Sequence, residues 1–355
     1  MHNAKSERFL TTLVFDWGDT LMCVFPDQSA PMVEWQHVEA IPGALEAIKS
    51  LHRQYRIVVG TNAAESSAEQ VRAALARVGM ADDIDAIYTY AELQARKPEK
   101  AFFTALSRLE ASQNLVMIGD TFEYDILGAW AAGWQTIWYN PLNRIAPALS
   151  PLQDGEIQDM AQLPEVITGL ELPSVNLCRR WLLEQGASAG LLAHVEGVAA
   201  VAYWLAHKLR IANKEVCPIL AHRGGLLHDL MKVSTRGDGR NHGMAAQTVL
   251  LERNQPALAR IAASHLLFSL QRDALVRPTS WEEKVVYLAD KMVDGSQLVS
   301  IEERMKSLTE RYPDGETDIV AIRPQVWQLQ SEVCNAAGIS PERLLDDLKQ
   351  AFRQS

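Results

Sequence analysis

Six residues of the kinds that bind metal ions recur in the second half of the chain, each within an apolar context. They are His194, His228, Asp229, His242, His265 and Asp290. Imidazole and carboxylate groups bind Zn, Mn, Fe and Ni, and the geometry of the set selects among these metals. A helix that is apolar all round is buried in a domain core, and a histidine inside it requires a partner. The set therefore predicts one or two divalent ions inside a helical domain.

The residues around this set resemble a known superfamily. His228 and Asp229 follow Gly225-Leu226-Leu227, and Asp290 lies within Tyr287-Leu288-Ala289-Asp290-Lys291. Over residues 175–310 the chain resembles the HD superfamily of metal-dependent phosphohydrolases. The resemblance implies an all-α helical bundle and a main metal held by His194, His228, Asp229 and Asp290. It also implies a second metal, which His242 and His265 hold while sharing the Asp229 carboxylate.

Other polar residues of this half have weaker expected roles. Lys232 lies one helical turn after Asp229, so we expect it to face the same pocket and bind a phosphate oxygen; a solvated helix lysine is the alternative. Weaker phosphate candidates are Arg236, Arg240 and Lys291. His207 and His222 fit no position of the pattern, and we expect them to be ordinary surface or structural histidines.

Strand-like apolar runs in the first half end in polar residues. Thr12-Leu13-Val14-Phe15 precedes Asp16, Ile57-Val58-Val59-Gly60 precedes Thr61, and Leu115-Val116-Met117-Ile118-Gly119 precedes Asp120. A short continuous apolar run is typical of a buried parallel strand. Ligands of open α/β sheets bind at the carboxyl ends of such strands. The polar residues are therefore candidates for one site, with Asp16 in the position of a nucleophile.

The order of these residues resembles the haloacid dehalogenase (HAD) superfamily over residues 10–145. Lys97 stands between the second and third runs, and Asp125 follows Asp120. The resemblance implies a doubly wound parallel α/β sheet in which Asp16 takes the phosphoryl group, a covalent route that divides one displacement into two steps. It further implies that Thr61 and Lys97 hold the phosphoryl oxygens. Asp120 and Asp125 would hold Mg²⁺ beside Asp16.

The first half departs from this resemblance at one position. HAD phosphatases usually carry a second Asp two residues after the nucleophile, as general acid and base, whereas here that residue is Gly18 and Asp19 follows it. Unless the loop repositions Asp19, proton transfer loses help worth about 10²–10⁴ in rate. The first half is thus a slow phosphatase, a HAD enzyme of another reaction or a binding domain. The intervals from Asp16 to Pro42 and from Thr61 to Lys97 are too short for an inserted cap domain.

Length and composition bound the remaining possibilities. A chain of 355 residues favours about two domains, and we place a HAD-like domain at 1–170 and an HD-type domain with C-terminal helices at 171–355. The net charge of −10 argues against nonspecific nucleic-acid binding. The sequence shows no uninterrupted apolar run of transmembrane length and no signal-peptide pattern. Four scattered cysteines favour a reduced, cytoplasmic protein.

Four functions remain open at this point. The first is a metal-dependent phosphohydrolase that acts at the HD half on a small phosphorylated substrate, such as a nucleotide or dinucleotide, as a monomer or homo-oligomer. The second is a two-step enzyme in which one half opens a diester and the other removes the exposed monoester. The third is a regulatory or nucleotide-binding protein with a degenerate HAD site. The fourth is a di-iron oxygenase in the HD half, since ligand spacing does not separate iron oxidation from hydrolysis.

Overall fold

Parallel strands and helices alternate in the first half of the chain, and helices dominate the second. The computed structural model describes residues 10–112, 114–271 and 276–354. These residues divide into two units by their contacts. The first unit comprises the chain up to Arg144 together with Leu152–Leu170, and the second comprises Ile145–Pro151 together with the chain from Glu171 onward.

Six parallel strands form the sheet of the first unit. They are β1 (Thr11–Phe15), β2 (Arg56–Gly60), β3 (Ala86–Tyr88), β4 (Asn114–Gly119), β5 (Gln135–Tyr139) and β6 (Gly155–Ile157). Their order is β3-β2-β1-β4-β5-β6, with every neighbouring pair parallel. The chain direction across the sheet reverses between β1 and β4, which is the switch point where open α/β sheets bind ligands. Asp16 and Asp120 directly follow these two strands.

Helices cover the sheet and supply the connections between strands. They are α1 (Ala44–Leu51), α2 (Ala68–Arg77), α3 (Tyr90–Leu93), α4 (Lys100–Glu110), α5 (Gly128–Ala131) and α6 (Leu163–Thr168), with a π-helical turn at Phe122–Leu127. Between β1 and α1 the chain forms a long loop with a single 3₁₀ turn, Met32–Glu34. Among the described residues this unit therefore has no inserted cap domain, as the sequence predicts.

The second unit is a helical bundle with one very short hairpin. Its elements are α7 (Val175–Glu184), α8 (Ala189–Ile211), α9 (Pro218–Leu227), α10 (His242–Glu252), α11 (Pro256–Ser264), α12 (Trp281–Lys291), β7 (Val293–Asp294), β8 (Gln297–Leu298), α13 (Ile301–Arg311), α14 (Glu316–Ala336) and α15 (Leu344–Gln354). Helices α8, α9 and α12 pack on one another at its centre. A Cβ atom on Gly225 would lie 2.5 Å from the Cα of Ala199, so glycine permits the close approach of α8 and α9.

Helix α8 is nearly all apolar because it is the core helix of this bundle. Among the described helices it alone has the length and composition to cross a membrane. However, 61% of its most apolar window is buried inside the protein. That burial is typical of the core helix of a soluble domain.

Candidate functional site

The structure brings all six metal-type residues of the second unit into one cluster. Most of them lie at helix ends: His228 follows α9, His265 follows α11, and His242 is the first residue of α10. His194 lies within α8, and Asp290 lies in the last turn of α12. The ends of four helices and one side of α8 thus converge on a single point of the bundle.

Backbone carbonyls fix the orientation of three of the imidazole rings. The contacts are His194 Nδ1 to Gly295 O at 3.2 Å, His228 Nδ1 to Gly225 O at 2.7 Å and His265 Nδ1 to Ala262 O at 2.6 Å. A carbonyl can only accept, so each Nδ1 carries the hydrogen. The lone pair of each neutral ring is then on Nε2, which is the tautomer that metal-binding histidines adopt.

The Nε2 atoms of His194 and His228 both lie near one oxygen of Asp229 and one oxygen of Asp290. Asp229 Oδ2 lies 3.4 Å from His228 Nε2 and 3.7 Å from His194 Nε2. Asp290 Oδ1 lies 3.2 Å from His194 Nε2 and 3.6 Å from His228 Nε2. These atoms are all acceptors when the rings are neutral, and His228 Nε2 has no hydrogen-bond partner among the described residues. A divalent cation fits such a buried set of facing lone pairs.

The other oxygen of Asp229 faces the remaining two histidines. Asp229 Oδ1 lies 3.2 Å from His242 Nε2 and 3.5 Å from His265 Nε2. The two Nε2 atoms are 3.2 Å apart. The Asp229 carboxylate therefore stands between two pairs of imidazole nitrogens. This arrangement suits a carboxylate that bridges two ions.

Burial and the nearby carboxylates have opposing effects on the pKa values of the imidazoles, and the balance differs between His228 and His265. Burial alone would lower the pKa of His228, but Asp229 and Asp290 raise it to about 9. Burial lowers the pKa of His265 to about 4, although Asp229 partly opposes this effect. His265 is therefore a neutral potential ligand at pH 7. His228 sits where the carboxylates attract a positive charge, either a proton or a metal ion.

A cavity of about 880 Å³ opens beside this cluster. Asp229, His242, His265, Asp290 and Lys232 are among its lining residues. Lys232 Nζ donates to Asp229 Oδ2 at 2.5 Å. Lys232 thus faces the same pocket as Asp229, which is the position that the sequence predicts. The volume of this cavity and its mixture of polar and apolar lining residues are typical of a pocket for a small organic ligand.

The remaining candidates of this half either lie outside the cavity or contact the metal-type residues without lining up as ligands themselves. Arg236 and Arg240 are exposed and absent from the cavity wall. Lys291 is buried and donates to Asp290 Oδ2 at 2.6 Å and to His265 O at 2.8 Å, so it positions the cluster. His207 and His222 are both buried, which excludes the surface alternative and leaves a structural role. Burial lowers the pKa of both rings, that of His207 to about 4.

In the first unit a buried lysine holds two carboxylates at the switch point of the sheet. Lys97 Nζ donates to Asp16 Oδ1 at 2.5 Å and to Asp125 Oδ1 at 2.6 Å. The other oxygen of Asp125 accepts from Thr121 N at 3.0 Å. A Cβ atom on Gly119 would lie 2.3 Å from the Asp125 carboxylate. Glycine is therefore required before Asp120 for Asp125 to reach the site.

The three carboxylates of this site lie close enough to share one cation. Oxygens of Asp16, Asp120 and Asp125 lie within 4.8 Å of one another. Burial, reinforced by the charge of Asp16, raises the pKa of Asp120 to about 6. Burial likewise raises the pKa of Asp125, while Lys97 opposes the rise. Raised carboxylate pKa values are expected where acidic groups are gathered in a buried site, and Mg²⁺ fits such a set of oxygens.

Asp16, Thr61 and Lys97 line a second, smaller cavity of about 520 Å³. Gly18 also lines it, but among the described lining residues Asp19 does not appear. The Asp19 side chain is exposed, and its Oδ1 accepts from Val24 N at 2.9 Å. Its backbone has a positive φ of 54°. In this conformation the Asp19 carboxylate stabilises the loop, and it does not project into the cavity that holds Asp16.

Comparison with protein families assigns both halves of the chain. The model of the haloacid dehalogenase-like hydrolase family matches residues 18–139, and the model of the HD domain matches residues 191–293. The chain is a fusion of a HAD-like hydrolase domain and an HD domain. The matched HAD range contains Thr61, Lys97, Asp120 and Asp125 and begins two residues after Asp16, and the matched HD range contains the cluster around Asp229.

Curated relatives match only part of the chain. A ribulose-1,5-bisphosphate 5-phosphatase of Halopiger xanaduensis is 34% identical over 109 residues, which is 30% of this chain and 44% of that protein. A pyrimidine 5′-nucleotidase of Escherichia coli is 35% identical over 112 residues, 30% of this chain and 48% of that protein. The chain thus spans about half the length of these two relatives. The crystal structure of an uncharacterized protein from Listeria monocytogenes serotype 4b has a TM-score of 0.41 and 29% identity, and it covers 46% of this chain and 99% of that one.

The HD domain also has cavity residues that the motifs do not mark. Arg304 and Arg311 of α13 line the cavity, and Arg304 Nη2 lies 4.0 Å from Asp290 Oδ1. In the sequence they resemble charged residues on the solvated face of an amphipathic helix. Their spacing of seven residues, two helical turns, is the one signal that places them on a common face.

Proposed function

We propose that the protein is a metal-dependent phosphohydrolase whose principal active site is the Asp229 cluster of the HD domain. The observation that carries this proposal is the position of the Asp229 carboxylate between two pairs of imidazole nitrogens. Oδ2 faces His194 and His228, and Oδ1 faces His242 and His265. The HD family match supports the same reaction class.

The proposed ligands divide into two sets. His194, His228, Asp290 and Asp229 Oδ2 would hold the first ion, and His242, His265 and Asp229 Oδ1 the second. Divalent ions in such a pair neutralise the charge that develops on phosphoryl oxygens and lower the pKa of bound water to about 7. The mixed nitrogen and oxygen ligands suit Fe, Mn, Zn or Ni. Lys232 adds a cationic group beside Asp229 and would bind a phosphate oxygen.

The wall of the cavity favours a phosphorylated compound with an apolar or planar body. Phe268 and Tyr312 line the cavity and keep 39% and 61% of their surface exposed. Large apolar side chains that line a cavity and stay exposed are available for contact with a ligand. Aromatic side chains stack on nucleobases. A nucleotide or dinucleotide is therefore our preferred substrate class over a simple sugar phosphate.

A matched pair of compounds tests this proposal. Ribose 5-phosphate and adenosine 5′-monophosphate share the phosphorylated ribose and differ in the base. Purified protein supplied with Mn²⁺ or Fe²⁺ should release phosphate from the nucleotide more efficiently, and His228→Ala should abolish that release. Oxygen consumption without phosphate release would favour the di-iron oxygenase alternative, and binding without either reaction would favour a regulatory protein.

We further propose that the HAD domain is a Mg²⁺-binding phosphoryl site with slow turnover. Asp16, Asp120 and Asp125 would hold the ion, and Asp16 would accept the phosphoryl group between Thr61 and Lys97. Two observations support slow turnover. The position of the usual general acid is occupied by Gly18, and Asp19 lies outside the cavity. Phosphate release that survives Asp16→Asn and disappears in His228→Ala would assign the measured activity to the HD domain. The opposite result would assign it to the HAD domain.

A further inference from the structure

Helix α13 presents a cationic face to the HD cavity. Arg304, Leu308 and Arg311 all line the cavity, as their spacing of four and then three residues on one helix face allows. Arg304 Nη2 lies 4.0 Å from Asp290 Oδ1. This face is therefore adjacent to the proposed metal ligands, and it belongs to the same cavity.

A single carboxylate orients both guanidinium groups. Arg304 Nη1 donates to Asp294 Oδ1 at 2.7 Å, and Arg311 Nη2 donates to the same oxygen. Ser307 Oγ donates to Asp294 Oδ2 at 2.7 Å, which fixes the carboxylate in turn. The two guanidinium groups are therefore already held in place, which lowers the entropic cost of binding an anion.

Arg304 also has a donor without an acceptor. Its side chain is only 9% exposed, and its buried Nε has no hydrogen-bond partner within the part of the chain that the structure describes. A buried unpaired donor is costly, and more so on a charged group. Arg323 Nε is also buried without a partner, but Arg323 does not line this cavity. Arg304 combines the unpaired donor with a position beside the proposed reaction centre.

We propose that Arg304 and Arg311 form a second anion subsite of the HD cavity, and that the substrate carries a second anionic group beside the phosphoryl group that reacts. This inference rests on the proposed function of the Asp229 cluster. Because Arg304 is so near Asp290 and both guanidinium groups share one Asp294 oxygen, the two anionic groups are close neighbours. A diphosphate or longer phosphate chain fits this spacing. Guanidinium groups bind such oxygens with paired hydrogen bonds.

The test compares one and two phosphates on the same nucleoside. The probes are the 5′-phosphonate isostere of adenosine 5′-monophosphate, in which a methylene group replaces the ester oxygen, and adenosine 5′-(α,β-methylene)diphosphate, whose P–C–P bridge resists hydrolysis. Binding to the full chain is measured by calorimetry with excess Mn²⁺. We expect wild type to prefer the diphosphate analogue and Arg311→Gln to weaken its binding by about three- to tenfold. That range is for a charge-assisted hydrogen bond, discounted because Arg311 is half exposed.

Matched variants separate this role from a structural one. Binding of the monophosphate isostere should change by less than about twofold in Arg311→Gln, since its one phosphonate group occupies the metal centre. Arg343→Gln, which removes an exposed arginine outside the cavity, should leave both affinities unchanged. Arg304→Lys keeps the charge but not the fork of donors, and it should also lose preference for the diphosphate analogue. These variants differ only in the HD domain, so binding by the HAD domain cancels in the comparison.

Two results would overturn the subsite. One is equal loss of affinity for both probes in Arg311→Gln, which would indicate a general structural effect. The other is an unchanged preference in both arginine variants. Because binding is measured, a protein that prefers the diphosphate through Arg311 but releases no phosphate would contradict the proposed function and leave the subsite intact. Phosphate release by a protein that does not prefer the diphosphate analogue would support the proposed function and contradict the subsite.

Discussion

Restoring a carboxylate at position 18 should activate the HAD domain, provided that one neighbour is reduced in size. A Cβ atom on Gly18 would lie 2.9 Å from Val24 Cγ2. That contact is too close, so Gly18→Asp alone forces the loop or the valine to move. Val24 is 43% exposed, which makes the cost small for a side-chain overlap, about 1 kcal/mol. The informative variant is therefore Gly18→Asp combined with Val24→Ala, which removes the methyl group in question.

The expected gain follows from the role of the missing group. A general acid and base contributes about 10²–10⁴ in rate, which equals a decrease of roughly 3–5 kcal/mol in the activation free energy. Part of this gain is realised only if the new carboxylate reaches the leaving oxygen. We therefore expect an increase in kcat of at least about tenfold for the double variant.

The assay is Mg²⁺-dependent hydrolysis of 4-nitrophenyl phosphate in a His228→Ala background, which silences the HD site. Val24→Ala alone and Gly18→Asn with Val24→Ala are the controls, because the second has the same shape without the carboxylate. A folded double variant with unchanged kcat would refute the reasoning. If Asp19→Ala also abolished the basal activity, Asp19 would be the acid in a rearranged loop.

Three further predictions concern the charges of the two sites. Lys97→Met leaves Asp16 and Asp125 without their shared cation, so urea denaturation should show a loss of about 3–5 kcal/mol in the free energy of unfolding. The surface variant Lys100→Met should show almost no loss, and equal losses in the two variants would contradict the role of Lys97. Burial and Asp16 raise the pKa of Asp120 to about 6, so protons compete with Mg²⁺ below that pH, and the affinity of the HAD domain for Mg²⁺ should fall by up to about tenfold between pH 6 and pH 5. An affinity that is constant across this pH range would show that Asp120 does not bind the ion. His265→Ala should lower the transition-metal content of the HD domain from two equivalents to one, and a loss of both or of none would exclude the proposed division of ligands.

The sequence predicts the main features of both domains because its polar residues interrupt apolar segments. Strands β1, β2 and β4 are continuous buried runs, and each ends at a candidate site residue. By contrast β3 and β6 have only three residues each. Such short segments have no periodicity to detect, and their strand pairing is decided by the neighbouring strands.

The geometry of the HD cluster could not be predicted in the same way. The order of the histidines in the sequence predicts that they form one cluster. Which histidines face each oxygen of Asp229, however, depends on where α9 and α11 end. The carbonyls near those ends fix the rings of His228 and His265. The arginines of α13 lie on a helix with little apolar content, where charges are ordinarily solvated. Their orientation toward the cavity is decided by Asp294, which lies in a hairpin of two-residue strands.

Metal content and turnover of two matched variants test the central proposal most directly. Transition-metal content is measured in wild type, Asp16→Asn and Asp229→Asn, purified without chelator, and phosphate release from the preferred nucleotide is measured on the same samples. We predict that Asp229→Asn loses bound metal and turnover together, because Asp229 contacts both sets of ligands, while Asp16→Asn retains both. Unchanged metal content in Asp229→Asn, or turnover that disappears in Asp16→Asn and persists in Asp229→Asn, would contradict the proposal.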